Sequence, residues 1–364
     1  MAAEAGGVNI LRRYIAREII ASTLLVLVAF LGLFAFFDFV NELDSIGKDG
    51  YQLHHALVYV ALILPGRVYE LMPIAVLIGT LYALTNLARH SEITVMRASG
   101  LSTARLLGLL VSVGMLFVLL TFVFGEYVAP PAEKAAQQWR LTATGSTVSN
   151  ELRSGLWVRD GKRFINVQTL TPERTMKGVR IYEFDNAMAL SSISHAEAGE
   201  YRSGDGWHLT GISRTVFEGD RTRIEQVKEL SWQSDLTPEV LSVLMVTPER
   251  MSVITLYAYL RHLEENAQQT DRYEIALWKK LVYPFAVLVM MALALPFAYS
   301  HDRMGGVSVK VFAGIMLGVA FHLLNGLFSN LGVINQWSAP VAALAPSALF
   351  LLAAAGMMIR VERR

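Results

Sequence analysis

The stretch Ile19–Phe37, which reads IIASTLLVLVAFLGLFAFF, contains no charged residue. A helix needs roughly 20 apolar residues to cross the hydrocarbon core of a bilayer, so this stretch predicts a membrane-spanning helix. Arg12, Arg13 and Arg17 precede it, as basic residues precede the apolar core of a secretory signal peptide. Because the apolar run is too long for a signal peptide and has no small-x-small cleavage site, we expect the helix to be retained.

Five further spans follow from the same criterion. The apolar runs that predict them are Leu71–Ala88, Leu106–Gly125, Leu281–Ser300 and the two halves of Val311–Ile359. The first of these helices is predicted to begin near Ala56 and to be interrupted by Pro65 and Pro73. Val311–Ile359 is too long for one crossing, and its Asn335–Pro340 segment, NQWSAP, predicts the turn between two spans.

The composition is that of a membrane protein with one soluble part. Of the 364 residues, 53% are hydrophobic and 17% are charged, and the mean hydropathy is +0.40; a soluble domain carries about 25% charged residues. The net charge of +1 gives no indication of a nucleic-acid partner. The absence of cysteine excludes thiolate catalysis, thiolate metal sites and disulfides. The sequence has no G-x-x-x-x-G-K-[ST] motif, so this chain cannot bind a nucleotide through a P-loop.

The flanks of the predicted spans differ in their basic residues, which concentrate on the cytoplasmic side of a membrane protein. One set of flanks contains Arg12, Arg13, Arg17, Arg89, Arg97, Arg105, Arg303, Lys310, Arg360, Arg363 and Arg364. The opposite set contains Lys48, which lies among Glu42, Asp44 and Asp49. We therefore expect a multi-pass inner-membrane protein with both termini cytoplasmic and the 130–270 segment periplasmic.

Between the third and fourth predicted spans, the sequence alternates between polar and apolar residues. Leu156–Arg159 and Arg163–Val167 flank Asp160-Gly161, a strong hairpin signal. Further strands are predicted at Val179–Phe184, Trp207–Phe217 and Arg223–Trp232. With no helical periodicity between the strands, we expect an all-β, jelly-roll-like domain with two packed sheets.

Two Thr-Pro-Glu steps, 237–239 and 247–249, then predict helix starts, since a capping Thr and Pro at the first helical position favour an N-terminus. After the second, the spacing of Ile254, Tyr257, Leu260 and Leu263 predicts one face of an amphipathic helix that returns the chain to the membrane. The predicted divisions are 1–128 for spans one to three, 129–270 for the β-domain with this helix, and 271–364 for spans four to six.

The loop between the second and third spans contains SEITVMRASG, Ser91–Gly100. Ser91 suits a helix N-cap, Glu92 the first turn and Gly100 the end, which predicts a two-turn helix at about 91–99. Ile93 and Met96 would form a small apolar face suited to a groove on a partner. The residues alone equally permit a tight turn capped by a surface helix.

Charged residues within or near a membrane are candidates for function because their burial in lipid is costly. Arg67 and Glu70 are three residues apart and would pair with each other or serve a pathway. Arg140, Lys279 and Lys280 are at the outer ends of predicted spans, where cations would meet the phosphates of either a lipid substrate or ordinary phospholipid head groups.

His322, Asn325 and Ser329 follow i, i+3, i+7 spacing and form a polar strip on one helix, which lines a pathway or bonds to a neighbouring helix. On the same helix, Gly314-x-x-x-Gly318 permits close helix packing and would suit pairing with a second membrane subunit. The other histidines lack metal-ligand spacing, so we expect no metal site. No nucleophile elbow or pair of intramembrane aspartates indicates catalysis.

At this point a resemblance becomes informative. SEITVMRASG followed by Leu101-Ser102 resembles the coupling-helix signature of the lipopolysaccharide export permease family. Other segments that resemble this family are Leu11–Glu18, Gly125–Pro130, Gly155–Gly161, and Arg272-Tyr273 with Trp278 and Lys280. Phe36–Leu43 (FFDFVNEL) and Val95–Gly100 (VMRASG) are more similar to the G-type subunit than to its F-type paralogue.

The resemblance implies a permease subunit of an ABC-type exporter, which extracts lipopolysaccharide from the outer leaflet of the inner membrane and passes it to a periplasmic bridge. A dimeric cytoplasmic ATPase would bind and hydrolyse ATP, so this chain would be no enzyme and would hold no cofactor. The implied partners are an F-type permease, a single-span jelly-roll protein, the bridge protein and lipopolysaccharide, with no nucleic acid.

The resemblance also implies roles for particular residues. The ATPase-docking set is Ser91, Glu92, Ile93, Val95, Met96 and Arg97, and the lipid-pathway candidates are Asp38, Arg67, Arg140, Lys279, Lys280, His322 and Asn325. Asp38 matches a charged patch near the lipid entrance. Asn41 and Glu42 replace the basic residues usual beyond it, which puts a phosphate-binding role of the first helix in doubt.

Three other classes of protein fit the sequence less well. A mechanotransmission ABC subunit typically has four spans with its external domain after the first, whereas this domain follows the third. An intramembrane hydrolase needs a nucleophile and a base, and His322 is the one candidate residue. An inert scaffold would not need a capped helix between spans or cations at their outer ends.

Overall fold

A computed structural model describes residues 2–48, 50–99, 102–143, 155–170, 175–186, 189–202, 206–219, 221–232, 247–266, 268–299 and 307–362. Its helices are α1 (Ala2–Leu43), α2 (Leu53–Arg89), α3 (Glu92–Ala98), α4 (Thr103–Val123), α5 (Ala129–Ala143), α6 (Val253–Glu265), α7 (Asp271–Val282), α8 (Ala286–Tyr299), α9 (Val307–Ile334) and α10 (Ala339–Glu362). A π-helical turn, Phe124–Val128, joins α4 to α5, and 3₁₀ turns occur at Pro248–Arg250 and Tyr283–Phe285.

Within the described residues, six helical segments are long and apolar enough to cross a membrane, as predicted. They are Leu11–Leu43, Leu53–Arg89, Thr103–Arg140, Asp271–Phe297, Val307–Ile334 and Ala339–Arg360. The predicted turn between the last two is also confirmed, since α9 ends at Ile334 and α10 begins at Ala339.

Helix α2 is the most buried of the six spans and contributes to the two largest apolar clusters of the membrane part. It remains helical through Pro65 and Pro73, whereas an interruption was expected. A proline removes one hydrogen bond and crowds the preceding turn, which a helix tolerates when its neighbours hold it in place. By contrast, α1 exposes large apolar side chains such as Leu25 and Val28, as a lipid-facing or partner-facing helix does.

Glycines bring two helices, α1 and α9, into close contact with α2. A Cβ atom at Gly79 would lie 2.5 Å from the Thr23 Cα, so the α1 and α2 backbones nearly touch there. Cβ atoms at Gly314 and Gly318 of α9 would lie 3.1 Å from Leu81 and 2.8 Å from Ile74. The predicted Gly-x-x-x-Gly contact therefore exists, but it joins two helices of this chain, not two subunits.

The strands are β1 (Leu156–Asp160), β2 (Arg163–Leu170), β3 (Thr175–Phe184), β4 (Leu190–Arg202), β5 (Gly206–Glu218) and β6 (Arg221–Trp232). They lie between the third and fourth candidate spans, as predicted, and each pairs antiparallel with the next along the chain. The hairpin at Asp160-Gly161 is confirmed: Asp160 opposes Arg163, and Gly161 has the positive φ of 58° that glycine tolerates best.

The all-β prediction is confirmed, but the described strands form one sheet where we expected two. Every strand contributes side chains to one apolar cluster, with Leu156 and Trp232 from the outermost strands and Trp207 from β5. The alternation of inward and outward residues is the same in either arrangement, so the sequence did not reveal how the strands divide between sheets. Strand β4 was missed because its serines, alanines, glutamates and glycine have low β-propensity.

Helix α6 is the amphipathic helix that the sequence predicted, but the prediction of its buried face was partly wrong. Leu256, Tyr259, Leu260 and Leu263 are buried, whereas Ile254 and Tyr257 are exposed. The 3₁₀ turn at Pro248–Arg250 uses the predicted start after Thr247, and α6 itself is capped by Ser252, whose hydroxyl accepts from the Thr255 amide at 3.1 Å. The other Thr-Pro-Glu step, at 237–239, lies outside the described residues.

Candidate functional site

Helix α3 connects the second and third spans, and two of its predicted apolar docking residues face inward. Ile93 is 5% exposed and Met96 is 8% exposed, and both belong to the apolar cluster of the spans. The prediction that they form an exposed apolar face is therefore wrong. Val95 is 66% exposed and is the large apolar side chain that α3 presents outward. The side chain of Arg97 lies outside what the structure describes, as does Gly100.

The chain enters α3 through an unusual backbone conformation at Ser91. This residue has φ of +61°, in the left-handed region, so it does not have the extended conformation of an ordinary N-cap. Its amide donates to the Ala88 carbonyl at 3.0 Å, and its carbonyl accepts from the Val95 amide at 3.0 Å. Ser91 thus ends α2 and starts α3 at a sharp joint. Glu92, in the first turn of α3, interacts with the hydroxyl of Tyr14 in α1.

Arg67 of α2 pairs with both nearby carboxylates. Its guanidinium contacts Asp38 of α1 through two hydrogen bonds of 2.7 and 3.0 Å, and it contacts Glu70 at 2.9 Å. The guanidinium also lies over the Phe34 ring, 5.5 Å from its centre. The simple pairing of Arg67 with Glu70 considered above is therefore present, and Asp38 completes a two-helix ion pair that the sequence did not indicate.

A second ion pair holds the end of α1. Arg140 of α5 lies 3.7 Å from the buried Glu42 and over the Tyr59 ring, 5.6 Å from its centre. Glu42 occupies a position where the family resemblance led us to look for a base. The acidic side chain instead receives an arginine from another helix, so α1 is tied to α2 and α5 by opposite charges.

The two neighbouring lysines of α7 have different environments. Lys280 is 7% exposed, donates to the Met251 carbonyl and lies 5.2 Å from the centre of the Tyr69 ring. Lys279 donates to the Ser329 hydroxyl of α9 at 3.3 Å and forms no salt bridge with a carboxylate of the described residues. Lys280 therefore holds the chain before α6, while Lys279 faces the polar strip of α9.

The three members of that strip are not equivalent. Ser329 receives Lys279 and donates to the Asn325 carbonyl at 2.8 Å. Asn325 is buried, whereas His322 is exposed on the helix surface. The strip thus joins α9 to α7 at one end and reaches the outer surface of the bundle at the other.

Sequence reasoning missed a group of polar contacts at the two ends of α6. Glu133 of α5 pairs with Arg250 at 2.6 Å, and Glu126 of the π-helical turn accepts from the Val253 amide at 2.8 Å. Asn266 at the end of α6 accepts from the Gly161 amide of the first hairpin at 2.8 Å. A sequence signal was present in Gly125–Pro130, where a glutamate follows an apolar run, but it did not name the partners.

The described part of the chain contains no group of three or more His, Asp and Glu side chains placed to hold a metal ion. Its polar side chains instead form ion pairs and hydrogen bonds that join helices at the level where the sheet domain is attached. Six candidate spans with an inserted sheet domain define the class of multi-pass membrane proteins with a domain outside the membrane.

Comparison with known proteins places the chain within that class. The family model for the lipopolysaccharide export system permease LptF/LptG matches residues 13–360. The chain therefore belongs to the LptF/LptG permease family. Its relatives include the lipopolysaccharide export system permease protein LptG of Haemophilus influenzae, which is 29% identical over 346 residues, covering 95% of this chain and 97% of that protein. The LptG protein of Escherichia coli K12 is 31% identical over 359 residues, covering 97% and 98%.

Family membership establishes the general role. The chain is a multi-pass inner-membrane permease subunit of the lipopolysaccharide export system, and its relatives are transport proteins, not enzymes. The resemblance noted from the sequence is thus confirmed over nearly the whole chain.

Proposed function

We propose that this chain is the G-type permease that, with an F-type homologue, accepts lipopolysaccharide from the outer leaflet of the inner membrane and delivers it to a periplasmic bridge of jelly-roll domains. A separate dimeric ATPase binds and hydrolyses ATP, and this chain holds no cofactor. The match to LptG proteins of two species over almost the full length is the observation that carries the proposal.

The ATPase docks on α3. Ile93 and Met96 fix this short helix to the bundle, because helices of two turns are not stable without such packing. Val95 then projects from a fixed base, so a force on α3 reaches the spans without deforming the helix. The joint at Ser91 makes α3 turn away from α2 instead of extending it.

In this proposal α3 and both termini are cytoplasmic and the sheet domain is periplasmic, which the distribution of basic residues among the flanks supports. Arg89 and Arg105 flank α3 on either side, and the arginines around residue 13 and residue 360 occupy the same side. The segments at 1–128 and 271–364 form the membrane part, and 129–270 forms the periplasmic part.

In the lipid pathway, the candidates now separate by environment. Lys279 meets lipid together with His322 and Asn325 of the polar strip. Among the described residues, the Lys279 ammonium is paired with a hydroxyl and with no carboxylate, so its charge remains available to lipid. Arg67 and Arg140 are engaged by Asp38 and Glu42, so they fix α1 at the edge of the pathway. Lys280 supports the periplasmic part, so we exclude it from the lipid-pathway candidates.

The first experiment is affinity purification of the tagged chain from detergent-solubilised membranes. We expect wild type to retain a P-loop ATPase and a second six-span protein. Val95→Asp should lose the ATPase and keep the second permease, because the change alters an exposed residue of α3 without disturbing its buried side.

Ile224→Asp is the matched control, since Ile224 is an equally exposed branched residue on β6 of the sheet domain. It should retain the ATPase. A wild-type chain that purifies without an ATPase would contradict the proposed function, and equal retention in Val95→Asp would remove α3 as the docking element.

A further inference from the structure

Three polar contacts fix the N-terminal end of α6 to the membrane helices. The Arg250 guanidinium contacts Glu133, whose side chain is 6% exposed, at 2.6 Å. The Lys280 ammonium donates to the Met251 carbonyl. The Glu126 carboxylate accepts from the Val253 amide at 2.8 Å, satisfying one of the amides that the first turn of a helix leaves without an intrahelical partner.

The membrane side of this joint is specifically shaped. Glu126 lies in the π-helical turn Phe124–Val128, and π-helical turns often occur at functional sites because they redirect a side chain. A Cβ atom added at Gly66 of α2 would lie 3.9 Å from the Glu133 carboxylate, an ordinary van der Waals contact, so Glu133 packs directly against this turn of α2. Burial alone would lower the pKa of Arg250, but Glu133 raises it above its ordinary value, so Arg250 stays charged.

The other end of α6 touches the sheet domain. Asn266 follows the last turn of α6, and its amide group donates to the His262 carbonyl at 2.9 Å. Its side-chain oxygen accepts from the Gly161 amide at 2.8 Å, in the turn of the first hairpin. One residue thus ends the helix and holds the nearest loop of the sheet.

Between these ends, α6 is a 13-residue helix, about 20 Å long. Its buried face packs with Met251, Tyr273 and Ala276 in a separate apolar cluster beside α7. A helix braced along its side and fixed at both ends moves as one body, because its length cannot change without breaking backbone hydrogen bonds.

We propose that α6 is a strut that carries movements of the membrane helices into the sheet domain, with Glu126, Glu133, Arg250 and Asn266 as its positioning residues. Its role in transport rests on the proposed function. The strut makes the sheet domain follow the π-helical turn Phe124–Val128, α5 and α7, which contact α6 or the turn before it.

Distance measurement between spin labels tests the strut directly. The chain contains no cysteine, so cysteines at the exposed Lys177 of β3 and Gln138 of α5 give two unique label sites in it. The sample is the complex with its ATPase and second permease in lipid nanodiscs, with and without trapped nucleotide. We expect a narrow distribution without nucleotide and a shifted one after trapping.

Arg250→Glu and Glu133→Arg should each broaden the distribution and abolish the shift. Transport of lipopolysaccharide per ATP hydrolysed should fall about five- to tenfold, the lower end of typical coupling between two sites. The double charge exchange should restore both quantities. A double variant as defective as either single one, or single variants with a normal distribution, would overturn the strut.

Asn266→Ala tests the sheet end, and the chain offers a matched control. Asn335 also donates to the carbonyl four residues earlier, at 2.9 Å, but lies in the α9–α10 turn. Asn266→Ala should broaden the distribution and lower transport more than ATP hydrolysis, while Asn335→Ala should change neither. An equal loss of both rates in Asn266→Ala would indicate a general structural role and reject the proposal. If wild type purifies without an ATPase, the proposed function fails, whereas the label distances of the chain alone still test the strut.

Discussion

Ser91 has a backbone conformation that suits glycine better than serine. Its φ of +61° costs an L-residue about 1 kcal/mol or more relative to glycine, because the Cβ approaches the carbonyl oxygen. Both hydrogen bonds at this joint use backbone atoms and survive any side-chain change. We therefore expect Ser91→Gly to raise the melting temperature of the purified chain in detergent, and Ser91→Val to lower it.

Ser112→Gly is the control for this prediction, because Ser112 lies inside α4, where its hydroxyl donates to the Leu109 carbonyl at 2.7 Å. Glycine in a helix interior costs about 0.5–1 kcal/mol, so this variant should melt earlier. A lower melting temperature for Ser91→Gly would contradict the account of the joint.

Glu183 of β3 joins its own strand to three other strands of the sheet. Its carboxylate contacts Arg163 at 2.8 Å, Arg214 at 2.7 Å and the Ser192 hydroxyl at 2.7 Å. Burial alone would raise the pKa of Glu183, but the Ser192 hydrogen bond and the two arginines lower it below its ordinary value. A carboxylate with a lowered pKa stabilises the folded state above its unfolded pKa of about 4.5, and this contribution disappears as the pH falls through the folded-state value.

We expect Glu183→Gln to destabilise the sheet domain at pH 7 by about 1–3 kcal/mol, since two arginines lose a charged acceptor. The difference from wild type should shrink below about pH 4.5, where protonation removes the same charge from the wild-type side chain. Thermal unfolding of both proteins, followed by the near-ultraviolet signal of Trp207 and Trp232 in the sheet core, measures it. A difference that stays constant from pH 7 to pH 3 would show that charge is not the cause.

At the scale of elements, Gly79 sets the distance between α1 and α2. An added Cβ would lie 2.5 Å from the Thr23 Cα, and a backbone atom cannot move aside as a flexible side chain can. We expect Gly79→Ala to cost about 1–3 kcal/mol or more by separating the two helices. The melting temperature and the yield of monodisperse protein in detergent measure this cost.

Gly32→Ala in α1 is the control, because nothing lies within 4 Å of its added Cβ. That change should leave the chain as stable as wild type or stabilise it by up to about 1 kcal/mol, through helix propensity. Equal losses in both variants would mean that glycine flexibility, not the close contact, matters at Gly79.

The elements that the sequence predicted are those with a local cause. Long uncharged runs required six spans, and Asp160-Gly161 required a hairpin, because each depends on neighbouring residues alone. The partners of Glu42 and Glu133 could not be predicted, since Arg140 and Arg250 are distant in sequence and meet only after the helices pack. The prediction for the apolar face of α3 was wrong, because a two-turn helix has too few apolar positions to show whether that face packs in the protein's own core or in a partner's groove.

At the scale of the whole molecule, charge at the outer ends of the spans is divided between structure and transport. Asp38–Arg67, Glu42–Arg140 and Glu133–Arg250 join helices that are far apart in the sequence. Such pairs cost much when one partner is removed, because the other charge is left buried. A cation that binds lipid must instead have no carboxylate partner within the protein. Lys279 meets this condition within the described residues.

The two lysines of α7 therefore give a matched test. We expect Lys279→Gln to reduce the lipopolysaccharide that remains bound to the purified exporter about tenfold, the loss of one charged hydrogen bond, with little change in melting temperature. Lys280→Gln should do the reverse, because Lys280 holds the Met251 carbonyl beneath α6 and lies beside the Tyr69 ring. Native mass spectrometry of bound lipid and thermal unfolding of the same samples measure the two effects. Consecutive residues on a helix point about 100° apart, so one change does not substitute for the other. If both variants lost lipid equally at unchanged stability, Lys280 would belong to the pathway and the division proposed for these charges would be wrong.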